Sequence, residues 1–301
     1  MTVTVRAPAK INLHLGVGSA RDDGFHPLDT VYQAISLYDD VTVSEAAAWT
    51  VEVEPVGDVD VAGVPLDDDN IAIRAGLLLT EHHQVSRRAR ISIGKGIPVA
   101  GGMAGGSADA AATLVALDRL WDLQTSDDDL LALAAELGSD VPFALIGGTA
   151  RGTGRGELVD PVTDAGTWWW VVVPDADGLA TPTVYRAFDD LATGSGDTAP
   201  AAPDLLLAAL ATADADAFAS ALHNDLAAPA MLLRPDLRAT AADVRAAGAR
   251  AALLSGSGPT FLGLASGQEQ ALRVRDALVT DGRRALVATG PVAGAHVVQY
   301  V

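Results

Sequence analysis

A glycine-rich run that leads into a helix constrains this chain more than any other feature. Residues 98–111 read PVAGGMAGGSADAA, with two pairs of glycines ahead of an alanine-rich segment. Small residues let backbone N–H groups approach an anion, and a helix N-terminus adds a partial positive charge. The run therefore predicts a phosphate cradle at the start of a helix over about 107–120. A tight loop that serves only close packing is the alternative.

This loop differs from the two best-known phosphate-binding loops. Gly101 and Gly106 have the glycine spacing of a Walker loop, but Ser107 stands where that loop requires lysine. The dinucleotide-binding pattern of glycines is absent from the run. A second small-residue turn, SGSGPT at 255–260, is ordinary turn material when it is taken alone.

Strand-like and helix-like segments are mixed along the whole chain, which favours an α+β fold over a doubly wound parallel sheet. The patterns predict strands over 2–6, 10–17, 31–43, 50–53, 90–93, 147–157, 168–173, 251–254, 260–265, 285–288 and 295–300. They predict helices over 71–80, 107–120, 127–137 and 268–279, with several more between 181 and 247. Glycine, alanine and proline predict a loop over 193–203. We expect two domains, 1–155 and 156–301.

The composition excludes several classes of protein. Asp and Glu number 39 against 20 Lys and Arg, which gives a net charge of −19. A nucleic-acid binder needs a basic face, and so does a protein that docks on anionic lipid. The absence of cysteine excludes disulfides, thiolate nucleophiles and cysteine-based zinc sites. With no signal-peptide pattern and no long apolar run, we expect a cytoplasmic protein.

Lysine is almost absent from this chain. Only Lys10 and Lys95 occur, against 18 arginines. A compact, rotatable ammonium differs chemically from a planar guanidinium, so these two positions are candidates for a role that arginine cannot fill. In the strand predicted over 10–17, alternation places Lys10, Asn12 and His14 on one face. A solvated strand residue is the alternative interpretation of Lys10.

Three segments in order resemble the motif pattern of the GHMP kinase superfamily of ATP-dependent small-molecule kinases. They are PAKINL at 8–13, the glycine run, and SGSGPT at 255–260. Further segments narrow the resemblance to one branch: RDDGFH at 21–26, DN at 69–70, KGIP at 95–98, GSDVPF at 138–143 and GGTA at 147–150. The resemblance extends over essentially the whole chain.

The resemblance implies a two-domain GHMP kinase fold with a cleft between the domains. It implies transfer of the γ-phosphate of ATP to the 2-hydroxyl of 4-diphosphocytidyl-2-C-methyl-D-erythritol, in the non-mevalonate isoprenoid pathway. Asp140 would be the general base and Lys10 its charged partner; capping of a short helix is the alternative for Asp140. Mg²⁺ would accompany ATP, with Ser107 as a ligand shared with the phosphates and Asp109 as a second candidate.

The resemblance also assigns binding residues. ATP would lie along the glycine run and two flanking positions: Asn70, Lys95, Pro98, Val99, Ala100, Gly101, Gly102, Met103, Ala104, Gly105, Gly106, Ser107 and Ala108. The cytosine would lie between the rings of Phe25 and Tyr185, and His26 would recognise it through hydrogen bonds. Asn12 and Thr181 would make further contacts with the substrate. This chain departs from the branch pattern at six of these positions. Phe25 replaces a tyrosine, Tyr185 replaces the phenylalanine of some members, Ala100 and Ala104 replace glycines, Gly101 replaces an alanine, and Ala108 replaces a serine.

Other hypotheses remain open at this stage. The chain could be another GHMP kinase, of the homoserine or mevalonate type, in which case the two rings and the histidine need not converge. It could be a catalytically silent nucleotide-binding protein on the same fold, although Lys10 and Asp140 are both present. A structural acidic protein would show no ATP-dependent thermal shift. The sequence predicts no oligomeric state.

Overall fold

The computed structural model describes residues 1–99, 101–175, 177–192 and 198–300. Its strands are β1 Thr2–Val17, β2 Leu28–Glu45, β3 Thr50–Pro55, β4 Ala89–Lys95, β5 Thr149–Thr153, β6 Leu158–Pro161, β7 Trp168–Val173, β8 His223–Asn224, β9 Ala251–Leu254, β10 Phe261–Ala265, β11 Leu286–Gly290 and β12 His296–Tyr300. Its helices are α1 Ile71–His82, α2 Gly105–Trp121, α3 Asp127–Leu137, α4 Val141–Ile146, α5 Thr181–Ala192, α6 Asp204–Thr212, α7 Ala215–Ala221, α8 Ala227–Leu233, α9 Leu237–Ala246 and α10 Gln268–Thr280. The loop predicted over 193–203 falls partly outside the described residues, as does Ala100.

The strands form two sheets. In the first, the order is β12-β1-β2-β4-β3, with β5 paired to β2, β6 to β5, and β8 to β1. In the second, the order is β11-β7-β10-β9, and every pairing is antiparallel. This mixture of helices and strands, with antiparallel pairing predominant, confirms the predicted α+β class.

The first strand corrects one prediction. The sequence predicted separate strands over 2–6 and 10–17, but β1 is continuous and pairs with β2 along its length. Proline has no backbone N–H and normally interrupts a ladder. Here the register shifts between Pro8 and Ala9, and again between Asn12 and His14, so irregularities absorb the proline and keep the strand intact. The long strand carries Lys10 and Asn12 into the interior.

Helix α2 begins at Gly105, two residues before its predicted start. Ala104 precedes it with φ of 55°, in the left-handed region. Five of its twelve buried residues are alanines, and it packs on β1, β2 and α1. Small side chains allow this close approach, so the glycine run is held against the centre of the molecule.

The second sheet has an apolar core on each face. Trp168, Trp170 and Val172 pack into the larger cluster, which also contains α1, α2 and the first sheet. Val171 and Val173 point the opposite way, into a second cluster with α8, α9 and α10. The tryptophan run therefore packs in the core.

The division into 1–155 and 156–301 stays a prediction. The first sheet takes most of its strands from the first segment, but β6, β8 and β12 belong to it as well. The last strand thus returns to pair with the first one. Within the described residues, no helix is long and apolar enough to span a membrane.

Candidate active site

Two cavities meet at the glycine run. The first, of about 630 Å³, contains the predicted catalytic pair and the predicted substrate residues. The residues that line it are Lys10, Asn12, Leu15, Gly24, Phe25, His26, Leu28, Tyr32, Gly102, Ala104, Ser139, Asp140, Arg155, Thr181, Pro182, Tyr185, Arg186, Asp189, Leu226, Gly256 and Ser257. The second, of about 430 Å³, is lined by the glycine run and the residues around Asn70. Gly102 and Ala104 line both. A ligand in one cavity can therefore approach a ligand in the other at this point of the loop.

Lys10 is a buried lysine held in one orientation. Its ammonium donates to Asn12 Oδ1 at 2.8 Å, and Asn12 in turn donates through Nδ2 to Thr30 Oγ1 at 2.8 Å. The backbone N–H of Lys10 donates to the carbonyl of Met103 in the glycine run, at 3.2 Å. The strand, the amide and the loop therefore fix the position of the ammonium at the cavity wall.

Asp140 pairs with that ammonium. Lys10 Nζ lies 3.3 Å from Asp140 Oδ2, and the carboxylate side chain is 30% exposed. Asp140 immediately precedes α4, but its side chain makes no capping hydrogen bond there. The capping interpretation of this residue is therefore wrong, and the carboxylate remains turned to the cavity and the lysine.

Tyr32 is a member of this cluster that the sequence analysis missed. It pairs with Asn12 across β1 and β2, and its ring lies 5.3 Å from the ammonium of Lys10. Burial, reinforced by the negative charge of Asp140, raises the pKa of the Tyr32 hydroxyl well above its ordinary value. The phenol is therefore neutral, and only the register of two strands, which single-sequence patterns do not give, could have identified it.

The glycine run is packed against the third motif. A Cβ on Gly102 would lie 2.4 Å from the carbonyl oxygen of Ser255, and Gly102 has φ of +72°. A Cβ on Gly101 would lie 2.7 Å from Thr260 Oγ1. Ser255 also donates from its hydroxyl to the Gly102 carbonyl at 3.2 Å. These positions therefore require glycine both for space and, at Gly102, for backbone conformation.

The second cavity contains most of the predicted ATP-binding residues. Those in its wall are Asn70, Lys95, Pro98, Val99, Gly101, Gly102, Met103, Ala104, Gly105 and Gly106, joined by Asp109. Ser107 and Ala108 lie in the first turn of α2 and are not part of the wall. Ala100 lies outside the described residues. A helix N-terminus and glycine backbone therefore face a cavity, which is the arrangement that binds phosphate.

Lys95 and Asn70 have structural partners in that wall. Lys95 is 2% exposed and donates to Asp39 Oδ2 at 2.6 Å and to Asp109 Oδ2 at 2.8 Å. Asp39 also accepts the backbone N–H groups of Gly96 and Ile97. Asn70 caps α1 by accepting from Ala72 N at 2.9 Å. Both predicted ATP-binding side chains are thus already engaged by the protein.

The buried carboxyls around Lys95 have perturbed acidity. Burial raises the pKa of Asp109 well above its ordinary value, and it raises the pKa of Asp39 as well. The pKa of Lys95 is raised because the attraction of these two carboxylates outweighs the effect of burial. Asp109 Oδ1 is buried and has no hydrogen-bond partner. Two acids and one ammonium therefore share one desolvated site.

The predicted cytosine residues surround the far end of the first cavity. The rings of His26 and Tyr185 lie 4.9 Å apart, and His26 Nε2 is 2.8 Å from Asp189 Oδ1. Burial raises the pKa of Tyr185, so its phenol is neutral. Phe25 is 49% exposed at the entrance, and the guanidinium of Arg155 lies 4.9 Å from its ring centroid.

Asn12 and Thr181 occupy different parts of the same cavity. Asn12 lies beside Lys10, at the catalytic end. The Thr181 hydroxyl lies 2.8 Å from the hydroxyl of Ser257, which links the start of α5 to the third motif. Arg155 and Asp189 were not predicted from the sequence, and they carry no pattern that distinguishes them from surface residues. Ser257 belongs to the third motif, but the sequence analysis assigned it no contact.

The described residues contain no cluster of three or more His, Asp or Glu side chains arranged to hold a metal. A cation at this site would therefore depend on ligands other than such a protein cage.

Family models and relatives show which family the chain belongs to. The model for the GHMP kinases N terminal domain matches residues 70–148, and the model for the GHMP kinases C terminal domain matches residues 206–283. A 4-diphosphocytidyl-2-C-methyl-D-erythritol kinase from Nocardioides sp. (strain ATCC BAA-499 / JS614) is 58% identical over 98% of this chain and 100% of its own length. The enzyme of that name from Salinispora arenicola (strain CNS-205) is 50% identical over 97% of this chain and 93% of its own.

Solved structures with the same fold include a member of the same family. A crystal structure of 4-(cytidine 5'-diphospho)-2C-methyl-D-erythritol kinase is 34% identical, with a TM-score of 0.76, and covers 96% of this chain and 98% of that chain. A homoserine kinase from Cytophaga hutchinsonii, 17% identical with a TM-score of 0.72, covers 99% of this chain and 97% of its own and shares the fold alone. The chain therefore belongs to the 4-diphosphocytidyl-2-C-methyl-D-erythritol kinase family of GHMP kinases and is an ATP-dependent small-molecule kinase.

Proposed function

We propose that this chain transfers the γ-phosphate of ATP to the 2-hydroxyl of 4-diphosphocytidyl-2-C-methyl-D-erythritol, in the non-mevalonate route to isoprenoid precursors. One observation carries the proposal. The Lys10–Asp140 pair, with 3.3 Å between its charged atoms, lies in the cavity that shares Gly102 and Ala104 with the cavity of the glycine run. An acceptor hydroxyl beside this pair would face a nucleotide phosphate held by the loop.

In this proposal, Asp140 takes the proton of the attacking hydroxyl and Lys10 is its charged partner. Phosphoryl transfer has a loose transition state, so a kinase mainly positions its substrates and balances charge. A carboxylate within reach of the hydroxyl can accept its proton as the new oxygen–phosphorus bond forms. The ammonium of Lys10, fixed by Asn12, offsets negative charge at the same place. A point charge with rotatable donors suits this position better than a guanidinium fork.

The nucleotide would use the second cavity. Glycines at 101 and 102 leave space that a Cβ would fill, so backbone N–H groups can approach phosphate there. We propose that Mg²⁺ enters with the phosphates and shares Ser107 with them. Bound there, it would neutralise charge on the transferred group. Ser107 is not itself in the cavity wall, but it directly follows the wall residue Gly106 in the first turn of α2. Asp109 already pairs with Lys95, and we assign it no ligand role.

The cytidyl group would use the far end of the first cavity. Phe25 and Tyr185 would flank the base, since stacking between a base and an aromatic side chain contributes roughly 1–3 kcal/mol. His26 lines the same cavity as both rings and would meet the edge of the base. Loss of the tyrosine hydroxyl at position 25 leaves the stacking face intact.

The test is phosphate transfer from ATP with Mg²⁺, offered four acceptors in parallel. We expect turnover of 4-diphosphocytidyl-2-C-methyl-D-erythritol and none above background of 2-C-methyl-D-erythritol, homoserine or mevalonate. Turnover of homoserine or mevalonate instead would be consistent with a kinase but would contradict the proposed cytidyl substrate. Binding of ATP without turnover of any acceptor would favour a silent nucleotide-binding protein.

A further inference from the structure

The histidine at the far end of the first cavity is held by three side chains. His26 Nε2 lies 2.8 Å from Asp189 Oδ1, which belongs to α5. The ring of Tyr185 lies 4.9 Å away and that of Phe188 meets His26 edge-on at 6.0 Å. Only 7% of the His26 side chain is exposed. The imidazole is therefore fixed in place and orientation by one helix.

The carboxylate of Asp189 determines which ring nitrogen carries the proton. An ionised carboxylate only accepts hydrogen bonds, and a neutral imidazole carries a single N–H. In the neutral ring, the hydrogen bond therefore requires the proton on Nε2, which leaves Nδ1 as an acceptor. Among the described residues, none makes a hydrogen bond to Nδ1, and His26 lines the cavity. The ring thus presents a lone pair, not a donor, to a ligand.

We propose that Asp189 is a positioning residue that makes His26 select cytosine over uracil. Cytosine carries an exocyclic amine, which donates, where uracil carries a carbonyl oxygen, which accepts. A lone pair on Nδ1 matches the amine and opposes the carbonyl. The inference rests on the proposed function for the class of ligand, a cytidyl diphosphate, and adds the residue that sets base selectivity.

The size of the effect follows from what a mismatched polar contact costs. Good hydrogen-bond readout of one base against the wrong one is worth roughly tenfold to a hundredfold in affinity. We therefore expect CDP to bind the free protein about 10–100-fold more tightly than UDP. Both probes share the ribose and diphosphate, so their ratio isolates the base.

The variant Asp189→Asn removes the carboxylate that fixes the tautomer of His26. A carboxamide can donate to Nε2 through its N–H₂ group, which allows the ring proton to lie on Nδ1. We expect the CDP/UDP affinity ratio to fall by about tenfold or more, through weaker CDP and stronger UDP binding. Asp190→Asn removes the same charge from the next residue, which is exposed, and should leave the ratio unchanged.

Two measurements decide the matter: calorimetric titration of CDP and UDP into the three proteins, and ¹⁵N NMR of the histidine rings in the wild type. His26 is assigned by comparison with His26→Gln, and we expect its resonances to show the proton on Nε2. An unchanged CDP/UDP ratio in Asp189→Asn, equal wild-type affinity for both probes, or a proton on Nδ1 would each overturn the proposal. The NMR result stands even if Asp189→Asn does not fold.

The proposed function has its own outcome in the same experiment. Wild-type protein that prefers CDP but does not phosphorylate the cytidyl substrate would contradict the proposed reaction and keep the role of Asp189. Wild-type protein that phosphorylates that substrate without preferring CDP over UDP would support the proposed reaction and contradict the role of Asp189.

Discussion

The two lysines of this chain occupy opposite electrostatic situations. Lys10 meets one carboxylate, Asp140, at 3.3 Å, and that carboxylate is 30% exposed in a cavity. Lys95 meets two carboxylates, Asp39 and Asp109, at 2.6 and 2.8 Å, and all three side chains are at most 4% exposed. Lys10 and Asp140 can interact with a substrate in the cavity, whereas the ammonium of Lys95 is already neutralised by carboxylates of the protein. Burial of a lysine beside an acid therefore does not by itself mark a catalytic site.

The largest effect we expect concerns stability, from Lys95→Met. Removal of the ammonium leaves two buried carboxyl groups facing each other, and breaking a buried ion pair from one side costs about 3–5 kcal/mol. Urea unfolding followed by circular dichroism measures the loss. The double variant Lys95→Met/Asp109→Asn should recover part of it, because one of the two acids is then neutral.

A matched control lies on the same strand. Arg90 forms an exposed ion pair with Glu52, so Arg90→Met should leave the unfolding midpoint nearly unchanged. Equal losses in Lys95→Met and Arg90→Met would contradict the structural role of the buried triad.

For the other lysine, the expected effect is on turnover. Lys10→Met should lower kcat about 10²–10³-fold, which corresponds to about 3–4 kcal/mol of transition-state stabilisation. Lys10→Arg should rescue little, because the guanidinium cannot reproduce a compact ammonium bound to Asn12. Steady-state kinetics with saturating ATP measure both. Recovery of wild-type kcat in Lys10→Arg would show that position 10 needs only a positive charge.

A smaller effect is the dependence of stability on pH. Burial raises the pKa of Asp109, so the folded protein keeps a proton that the unfolded chain loses. From about pH 4, where free aspartate ionises, up to the raised pKa, unfolding releases that proton. Stability should therefore fall as pH rises through this window, by up to about 1.4 kcal/mol per pH unit. In Asp109→Asn the fall should be shallower; a slope identical to that of the wild type would contradict the assignment.

The smallest effect concerns the glycine run itself. Ala104 has φ of 55°, a conformation that is strained for a residue with a Cβ. Ala104→Gly should raise the unfolding free energy by about 0.5–1 kcal/mol. Ala110→Gly, in the interior of α2, should lower it by about 1 kcal/mol or more. Destabilisation by both variants would mean that position 104 is not strained.

The sequence predicted local elements better than it predicted contacts between them. The helix over 127–137 and the strand over 168–173 follow from local pattern and capping, and both are confirmed. The continuity of β1 through Pro8 was missed, because the irregularity that absorbs the proline depends on pairing with β2. For the site, motif resemblance identified residues that the structure brings to one pair of cavities.

The partners of those residues could not be predicted, because they come from distant segments. Tyr32, Asp39 and Asp189 have no local pattern that separates them from core or surface residues. The binding and catalytic roles assigned to the predicted residues stay predictions until variants are measured. Lys95 illustrates the limit, since its place in the cavity wall matched the expectation while its partners are internal carboxylates.

The most direct test of the account is the turnover of Asp140→Asn on 4-diphosphocytidyl-2-C-methyl-D-erythritol, with affinities for ATP and CDP measured on the same protein. The amide keeps the shape of the side chain but cannot take the proton. We predict that kcat falls about 10²–10⁴-fold while both affinities stay within about threefold, since general-base catalysis contributes at that scale. Asp281→Asn, an exposed residue after α10, is the matched control and should behave as the wild type. Turnover by Asp140→Asn close to the wild-type rate would contradict the catalytic role of the Lys10–Asp140 pair.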